Sequence, residues 1–384
     1  MRDTILIISC SFLNRDPRVL RQIKVLSSEF DIVACGLSNP NIDGVRYINT
    51  PFKPKNNLWQ KIYEAILVLL KFDSYIYERS DHQTKIISTI YNYFTTTKPK
   101  FIFCNDIQFL HLSVKIKELW NIKLIVDFHE YAPTELEDIL LWKLRFKGHY
   151  TRLLKKLLPK VDVITTVCNG IKQKFFDEFK VNVDIVLNSP EFIDLIPSKV
   201  NSNNIQLVHH GGAIRSRHLE IMIEMMDYLN PKFELNLILI ETDPGYINEL
   251  KQLSKNKKIN FLQSVPTEEI SKKLNQFDIG LFILPPVNFN YEIALPNKFF
   301  EFIQARLCIA IGPSREMELI TNKHKLGIVS PDFSAKSMAD LLNKLSIDDI
   351  STFKNNSHQS ASELSFNESA NLILNHAKAI CKTT

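Results

Sequence analysis

Two successive series of short apolar runs, most of them followed by a longer amphipathic run, constrain what this chain can fold into. The first series is Ile5–Ser9, Asp31–Cys35, Phe101–Cys104, Lys123–Val126, Val163–Thr166 and Asp184–Leu187. The second is Ile205–His209, Leu235–Ile240, Ile259–Leu262, Ile279–Ile283, Cys308–Ile311 and Gly327–Val329. Arg18–Ser28, Leu110–Trp120, Leu219–Leu229, Tyr246–Ser254 and Thr267–Gln276 lie between them with helical periodicity. Strands that are apolar throughout are buried on both faces, and helices between them imply parallel sheets covered on both sides. A length of 384 residues exceeds one core and predicts two domains. The series breaks at Asn188-Ser-Pro-Glu-Phe192 and the polar stretch 197–204. That places a first domain at 1–190, a linker at 191–204 and a second domain at 205–384. The chain after Ser330 is helical, and its last helix is a candidate to pack back on the first domain. Such a pair of doubly wound domains predicts ligand binding in a cleft between them, at the C-terminal ends of strands.

The formal charge of +5 is uneven: residues 1–190 carry a net of +7 and residues 191–384 a net of −2. Only the first domain is therefore expected to meet an anionic surface. Cys10, Cys35, Cys104, Cys168, Cys308 and Cys381 are dispersed with no C-x-x-C pair, which reads as free, buried thiols in a reducing compartment. No apolar run of about 18 residues is present, so no membrane-spanning helix is expected. The run Thr4–Ile8 is too short for a signal peptide and reads as a first strand.

Four stretches carry candidate chemistry. In Leu295-Pro-Asn-Lys-Phe-Phe-Glu-Phe302, Lys298 and Glu301 fall on one face of a helix start. Free N–H groups and the helix dipole suit a phosphate there, with Glu301 accepting from sugar hydroxyls; the alternative is an ordinary surface ion pair. Asp127-Phe-His-Glu-Tyr131 follows a strand, so His129 is placed to donate to a phosphate or hydroxyl or to exchange protons, with Glu130 fixing the imidazole or capping the next helix. In Gly211-Gly212-Ala-Ile-Arg215-Ser-Arg217, the glycines allow close backbone approach to a phosphate, and Arg215 or Arg217 can bind its oxygens. No G-x-G-x-x-G or Walker pattern occurs, which removes support for a dehydrogenase or a P-loop ATPase. Finally, Leu140–Lys160 interleaves Trp142, Lys143, Arg145, Lys155 and Lys156 among leucines and aromatics. That pattern suits an anionic membrane interface or a helix with a solvated basic face. No nucleic-acid fold pattern accompanies it, so no nucleic-acid partner is expected.

Several segments in order resemble the GT-B glycosyltransferases of the family-4, "group 1" type. They are Asp16-Pro-Arg18-Val19, Asn105-Asp106, Asp127–Glu130, Asn188-Ser-Pro190, Val265–Glu269 with Phe277–Leu281, and Leu295–Phe302. The resemblance covers most of the chain. It implies an α/β fold of two Rossmann-like domains whose parallel sheets face a central cleft. It implies retaining transfer of a sugar from a nucleotide-diphosphate-sugar donor, with no cofactor and no catalytic metal. By the resemblance Glu301 holds the donor ribose, Arg217 and Lys298 bind the diphosphate with Gly212 and Arg215 beside them, and His129 sits near the reacting sugar. Asp16, Arg18, Asp106 and Glu130 are acceptor-side candidates. The family's first glutamate falls at Ile293, with Glu292 one place away as the catalytic candidate. The expected partners are the donor, a glycan or lipid-linked glycan acceptor, and an anionic membrane at whose cytoplasmic face the enzyme builds a surface glycan. A non-hydrolysing nucleotide-sugar epimerase and a catalytically degenerate binding or assembly partner are the alternatives.

Overall fold

The computed structural model describes residues 2–51, 58–72 and 81–382. They divide into two compact units, Met1–Leu187 with Ser369–Thr384, and Asn188–Glu368. The segment read as a linker thus belongs with the second unit, and the final helix, Phe366–Lys382, lies largely in the first.

The first unit is built on strands β1 (Thr4–Ser9), β2 (Asp31–Gly36), β3 (Arg46–Asn49), β4 (Phe101–Asn105), β5 (Lys123–Phe128), β6 (Val163–Thr166) and β7 (Asp184–Ile185). They form one parallel sheet in the order β3-β2-β1-β4-β5-β6-β7. The central strand β1 explains why the run is apolar at every position: Ile5, Leu6, Ile7 and Ile8 are all fully buried, because helices cover both faces. In the second unit β8 (Ile205–Ala213), β9 (Phe233–Glu241), β10 (Ile259–Leu262), β11 (Ile279–Phe282), β12 (Cys308–Ile311) and β13 (Gly327–Val329) form a second parallel sheet, in the order β10-β9-β8-β11-β12-β13.

Several expectations need correction. Strand β8 runs on through His210, Gly211 and Gly212 to Ala213, which pairs with Glu241, so the glycines are part of the sheet and not of a loop. β5 continues to Phe128, which brings His129 directly onto the strand end. The run Leu219–Leu229 is helical only over Glu220–Met225, and Thr267–Gln276 divides into a 3-10 turn and the helix Ile270–Leu274. The helices Leu58–Leu69 and Asp81–Tyr93 were not anticipated. Cys10 is exposed, unlike Cys35, Cys104, Cys168 and Cys308.

The segment following Pro190 is held to the second unit by side chains. Arg306, fully buried, donates to the carbonyls of Ile193 at 2.6 Å and Leu195 at 3.1 Å. Gln304 accepts from Ile193 N at 3.2 Å, Asn275 donates to Ile196 O at 2.9 Å, and Lys354 donates to Ser198 at 2.9 Å. Arg306 follows the helix Asn297–Gln304 with φ of 62°, in the left-handed region that favours glycine after a helix. Arginine is accepted there because its guanidinium satisfies carbonyls that would otherwise be buried without a donor. Both Arg306→Ala and Arg306→Gly should lower the thermal midpoint, since both lose this clamp. The alanine variant should be the less stable by about 1 kcal/mol, because it alone keeps a Cβ in the left-handed conformation. Equal midpoints for wild type and both variants in thermal denaturation would contradict this account.

Candidate functional site

In each sheet the chain reverses its direction of winding once. β1 lies between β2 and β4, and β8 lies between β9 and β11. Neighbouring crossovers leave such a point toward opposite faces, so the carboxyl ends of the two flanking strands stay uncovered. The candidate residues of the second unit gather there, and those of the first stand at the end of β4 and of its outer neighbour β5.

In the first unit the cluster stands at the ends of β4 and β5. Asp127 is fully buried on β5 and accepts from Arg18 Nε at 2.6 Å and Arg18 Nη2 at 2.8 Å. Gln22 Nε2 at 2.6 Å and Thr165 Oγ1 at 2.7 Å also donate to it. Burial alone would raise this carboxyl; the Arg18 charge, the His129 hydrogen bond and the bidentate bonds outweigh it and hold Asp127 far below the usual carboxylate range. His129 is the next link. Its Nδ1 is 3.1 Å from Asp106 Oδ2, and its Nε2 is 3.3 Å from Asp127 Oδ2 and 3.1 Å from Asn105 Oδ1. Its backbone N–H donates to Asp106 Oδ1 at 2.9 Å. Both ring nitrogens face acidic oxygens, and an ionised carboxylate can only accept, so the arrangement favours the protonated ring. Burial opposes this charge, but Asp106 and then Asp127 hold His129 above its ordinary value. Burial in turn raises the Asp106 carboxyl, with His129 pulling it down. The group is thus arranged to favour positive charge at the strand end. A pocket of about 210 Å³ opens beside it, lined by Asp106, Gln108, His129, Glu130 and Glu135 with Ile107, Phe128 and Ala132.

The second cluster stands where β8 and β11 meet the start of the helix Asn297–Gln304. Pro296 caps that helix, as a residue without an N–H can, and Lys298 and Glu301 are both buried. They do not form the surface ion pair that their spacing allows. Glu301 instead places a carboxylate oxygen 3.2 Å from His210 Nε2, and Lys298 Nζ lies 3.4 Å from His209 Nε2 and 4.5 Å from the centre of the Phe282 ring. A Cβ on Gly211 would stand 3.0 Å from Lys298 Nζ and 4.0 Å from Arg217 Nη1, and Gly211 has φ of +121°. The backbone favours glycine at that position, and the contact with Lys298 is tight. Arg217 donates to Gly212 O at 3.3 Å. Among the described residues no carboxylate pairs with Lys298 or Arg217 within ion-pair distance. Burial and then the Arg217 charge push the Lys298 ammonium well below its ordinary value, against a smaller pull from Glu301. An anion placed at these two cations would reverse that effect and complete a site of two cations and a helix N-terminus.

The remaining candidates fall elsewhere. Asp16 caps the helix Pro17–Ser27 by accepting from Val19 N at 3.2 Å. Arg18 is 2% exposed and holds Asp127, so it supports the histidine without facing a ligand itself. Glu130 lines the pocket, but Asp106 and Asp127 are the carboxylates that hold the imidazole. Arg215 is committed to an exposed bidentate pair with Glu249 at 2.6 and 2.5 Å. Glu292 ends the short helix Phe289–Glu292 and is exposed, while Ile293 is buried. Lys143, Lys155 and Lys156 are exposed, Trp142 is half-buried, and Arg145 pairs with Glu64. Gln22, Asn105, Thr165, His209 and His210 were missed as partners. Only the placement of Asn105, His209 and His210 near strand ends signalled them.

Two all-parallel sheets, each with its polar residues at the switch point, define a two-domain Rossmann-like protein of the GT-B fold. Solved structures bear this out. The chain aligns over 100% of its length with 100% of a glycosyltransferase from Rickettsia africae, at TM-score 0.71 and 14% identity. Sucrose-phosphate synthase from Thermosynechococcus elongatus matches over 100% of both chains, at TM-score 0.77 and 10% identity. HepE from Anabaena, solved in complex with UDP-glucose, matches over 98% of this chain and 100% of its own, at TM-score 0.72 and 11% identity. No family model and no curated protein matches the chain by sequence. At these identities the likeness is one of fold.

The His129 geometry makes a titration prediction. Its ring protons should titrate above the ordinary value of about 6.5, and Asp106→Asn should lower the midpoint. A histidine raised in the folded state contributes stability that is complete below its unfolded value and lost as pH rises through the folded one. Histidine NMR of both proteins checks this; a wild-type midpoint at or below that of the variant would contradict it.

Proposed function

We propose that this protein is a retaining glycosyltransferase that moves a sugar from a nucleotide-diphosphate-sugar to a glycan or lipid-linked glycan acceptor. The observation that carries the reading is the pair Lys298 and Arg217, set over Gly211 at a helix N-terminus, with no carboxylate partner for either among the described residues. Breaking the bond between the sugar and the diphosphate leaves negative charge on the departing phosphate, and preorganised cations and N–H groups stabilise it. In this reading Lys298 and Arg217 do so without a metal, and Glu301 accepts from the donor ribose. The likeness to a protein described as a glycosyltransferase and to one solved with UDP-glucose supports it. His129, held by Asp106 and Asp127, supplies positive charge beside the transferred sugar, and the pocket at Asp106, Glu130 and Glu135 takes the acceptor. Surface-glycan synthesis at the cytoplasmic face of an anionic membrane completes the proposal. Glu292 is one residue away from the buried Ile293, and this favours a second reading, a partner that binds the donor without turnover.

Lys298→Ala and Glu301→Ala should each weaken binding of the preferred nucleotide-sugar, by about 1.5–3 kcal/mol, and leave the fold intact. Calorimetry with a donor panel measures this, and unchanged affinity in both variants would sink the donor site. His129→Ala should lower kcat far more than donor affinity; a wild-type kcat would make the histidine structural.

The product's anomeric configuration should match the donor's, and EDTA should leave the rate unchanged. Proton NMR of the fresh product showing inversion refutes retention. Loss of activity in EDTA, restored by manganese, refutes metal independence. Release of an epimerised donor without acceptor would make the protein an epimerase, and binding with no turnover would favour the second reading.

A further inference from the structure

The helix Leu58–Leu69 turns its apolar side to solvent. Trp59 is 78% exposed, Tyr63 58%, Ile66 47%, Leu69 73% and Leu70 60%. Spacings of four, three, three and one place these side chains on one face. The other face is tied down: Val68 is buried, Glu64 pairs with Arg145, and Arg152 Nη2 donates to Val68 O at 3.1 Å. The polar contacts are therefore spent inward, which reverses the usual orientation of a surface helix. The segment that holds this helix is itself apolar on its exposed side, with Leu140, Leu141 and Leu144 at 68, 79 and 64% exposure. Folded monomers rarely leave so much contiguous apolar surface in water unless it has a partner.

Charge identifies the partner. Lys143, Lys155 and Lys156 are exposed along the same helical run, and residues 1–190 carry a net of +7. Two copies of such a surface repel each other, whereas anionic headgroups attract both. A tryptophan and a tyrosine on the apolar face suit the depth of the headgroup region. The helix of 12 residues spans only about 18 Å, too short to cross a bilayer core of about 30 Å. Among the described residues no helix is long and apolar enough to cross a membrane.

We propose that Leu58–Leu69, together with Leu140–Leu144, lies flat in the interfacial layer of an anionic bilayer, its apolar side chains inserted and its lysines among the headgroups. This deepens the membrane part of the proposed function and rests on it. It also differs from binding through the basic run alone, which salt would release. Attraction between lysines and lipid is screened by salt, but burial of apolar side chains is not. Binding should therefore be recruited by charge and retained by insertion.

The test is sedimentation of the full chain with vesicles of phosphatidylcholine plus phosphatidylglycerol, at low salt and at about 0.5 M salt. Wild type should bind at low salt and stay bound at high salt. A Trp59→Ser, Leu69→Ser, Leu70→Ser variant should bind at least roughly tenfold more weakly and be released by salt. A Lys143→Gln, Lys155→Gln, Lys156→Gln variant should bind more weakly at low salt and retain its salt-resistant fraction. These side chains are exposed, so circular dichroism and thermal midpoints should match wild type. Equal partitioning of the serine variant and wild type overturns the proposal. So does a wild-type dimer in light scattering that the serine variant converts to monomer, with no vesicle binding by either. Nucleotide-sugar affinity, measured without vesicles, separates the two readings. If the serine variant binds vesicles normally while donor affinity is intact, insertion alone fails. If wild type binds vesicles and no donor, the transferase reading alone fails.

Discussion

A parallel sheet cannot be made from hairpins. Every strand must be followed by a crossover, and covering both faces forces the winding to reverse at one point. In this protein that happens beside β1 and again beside β8. The carboxyl ends of the flanking strands are then the places where backbone and side chains remain uncovered by a crossing helix. Asn105 and Asp106 occupy the first of these places, with His129 beside them at the end of β5; Gly211, Gly212 and Arg217 occupy the second. Chemistry accumulates there because the rest of each sheet is sealed by apolar contact on both sides.

The two clusters treat buried charge in opposite ways. Asp127 is compensated by Arg18, Gln22, Thr165 and His129, so its desolvation is offset and its carboxylate is fixed. Removing Arg18 would leave a buried anion without its main partner, and so a role in compensating that charge explains its place better than contact with a ligand. Lys298 is buried against His209, an aromatic ring and another cation, with no carboxylate at ion-pair distance among the described residues. Such an arrangement costs stability in the absence of an anion, and that cost is the reason to regard it as a binding site and Asp127 as a support.

Arg306 links the helix that carries Lys298 and Glu301 to the segment at Ile193 and Leu195. Side-chain bonds from Gln304, Asn275 and Lys354 extend the same attachment as far as Ser198. The stretch is polar and irregular in sequence, yet its carbonyls are satisfied like those of a core element. The outer helix Leu58–Leu69 is the converse case: regular and apolar, yet left open to solvent on its apolar side.

The alternation of apolar and amphipathic runs determined the two parallel sheets, because only strands buried on both faces remain apolar at every position. It also put Asp106, His129 and the Gly211–Arg217 stretch near strand ends, since strand and loop differ in local composition. What the tertiary structure decided was which partner each of these residues met. Gly211 and Gly212 read as a loop, but pairing with β9 draws them into the sheet, and strand pairing is non-local. Lys298 and Glu301 read equally well as a surface pair; burial against β8 and β11 separates them onto His209 and His210. Glu130 was the next residue available to His129, but Asp127 from two residues before it and Asp106 from the end of the adjacent strand β4 hold it at hydrogen-bond distance. The helix Leu58–Leu69 has a face suited to a core, and only the packing of Glu64 and Val68 turned that face outward. A sequence fixes the faces of an element, whereas which face is buried depends on what the rest of the chain brings against it.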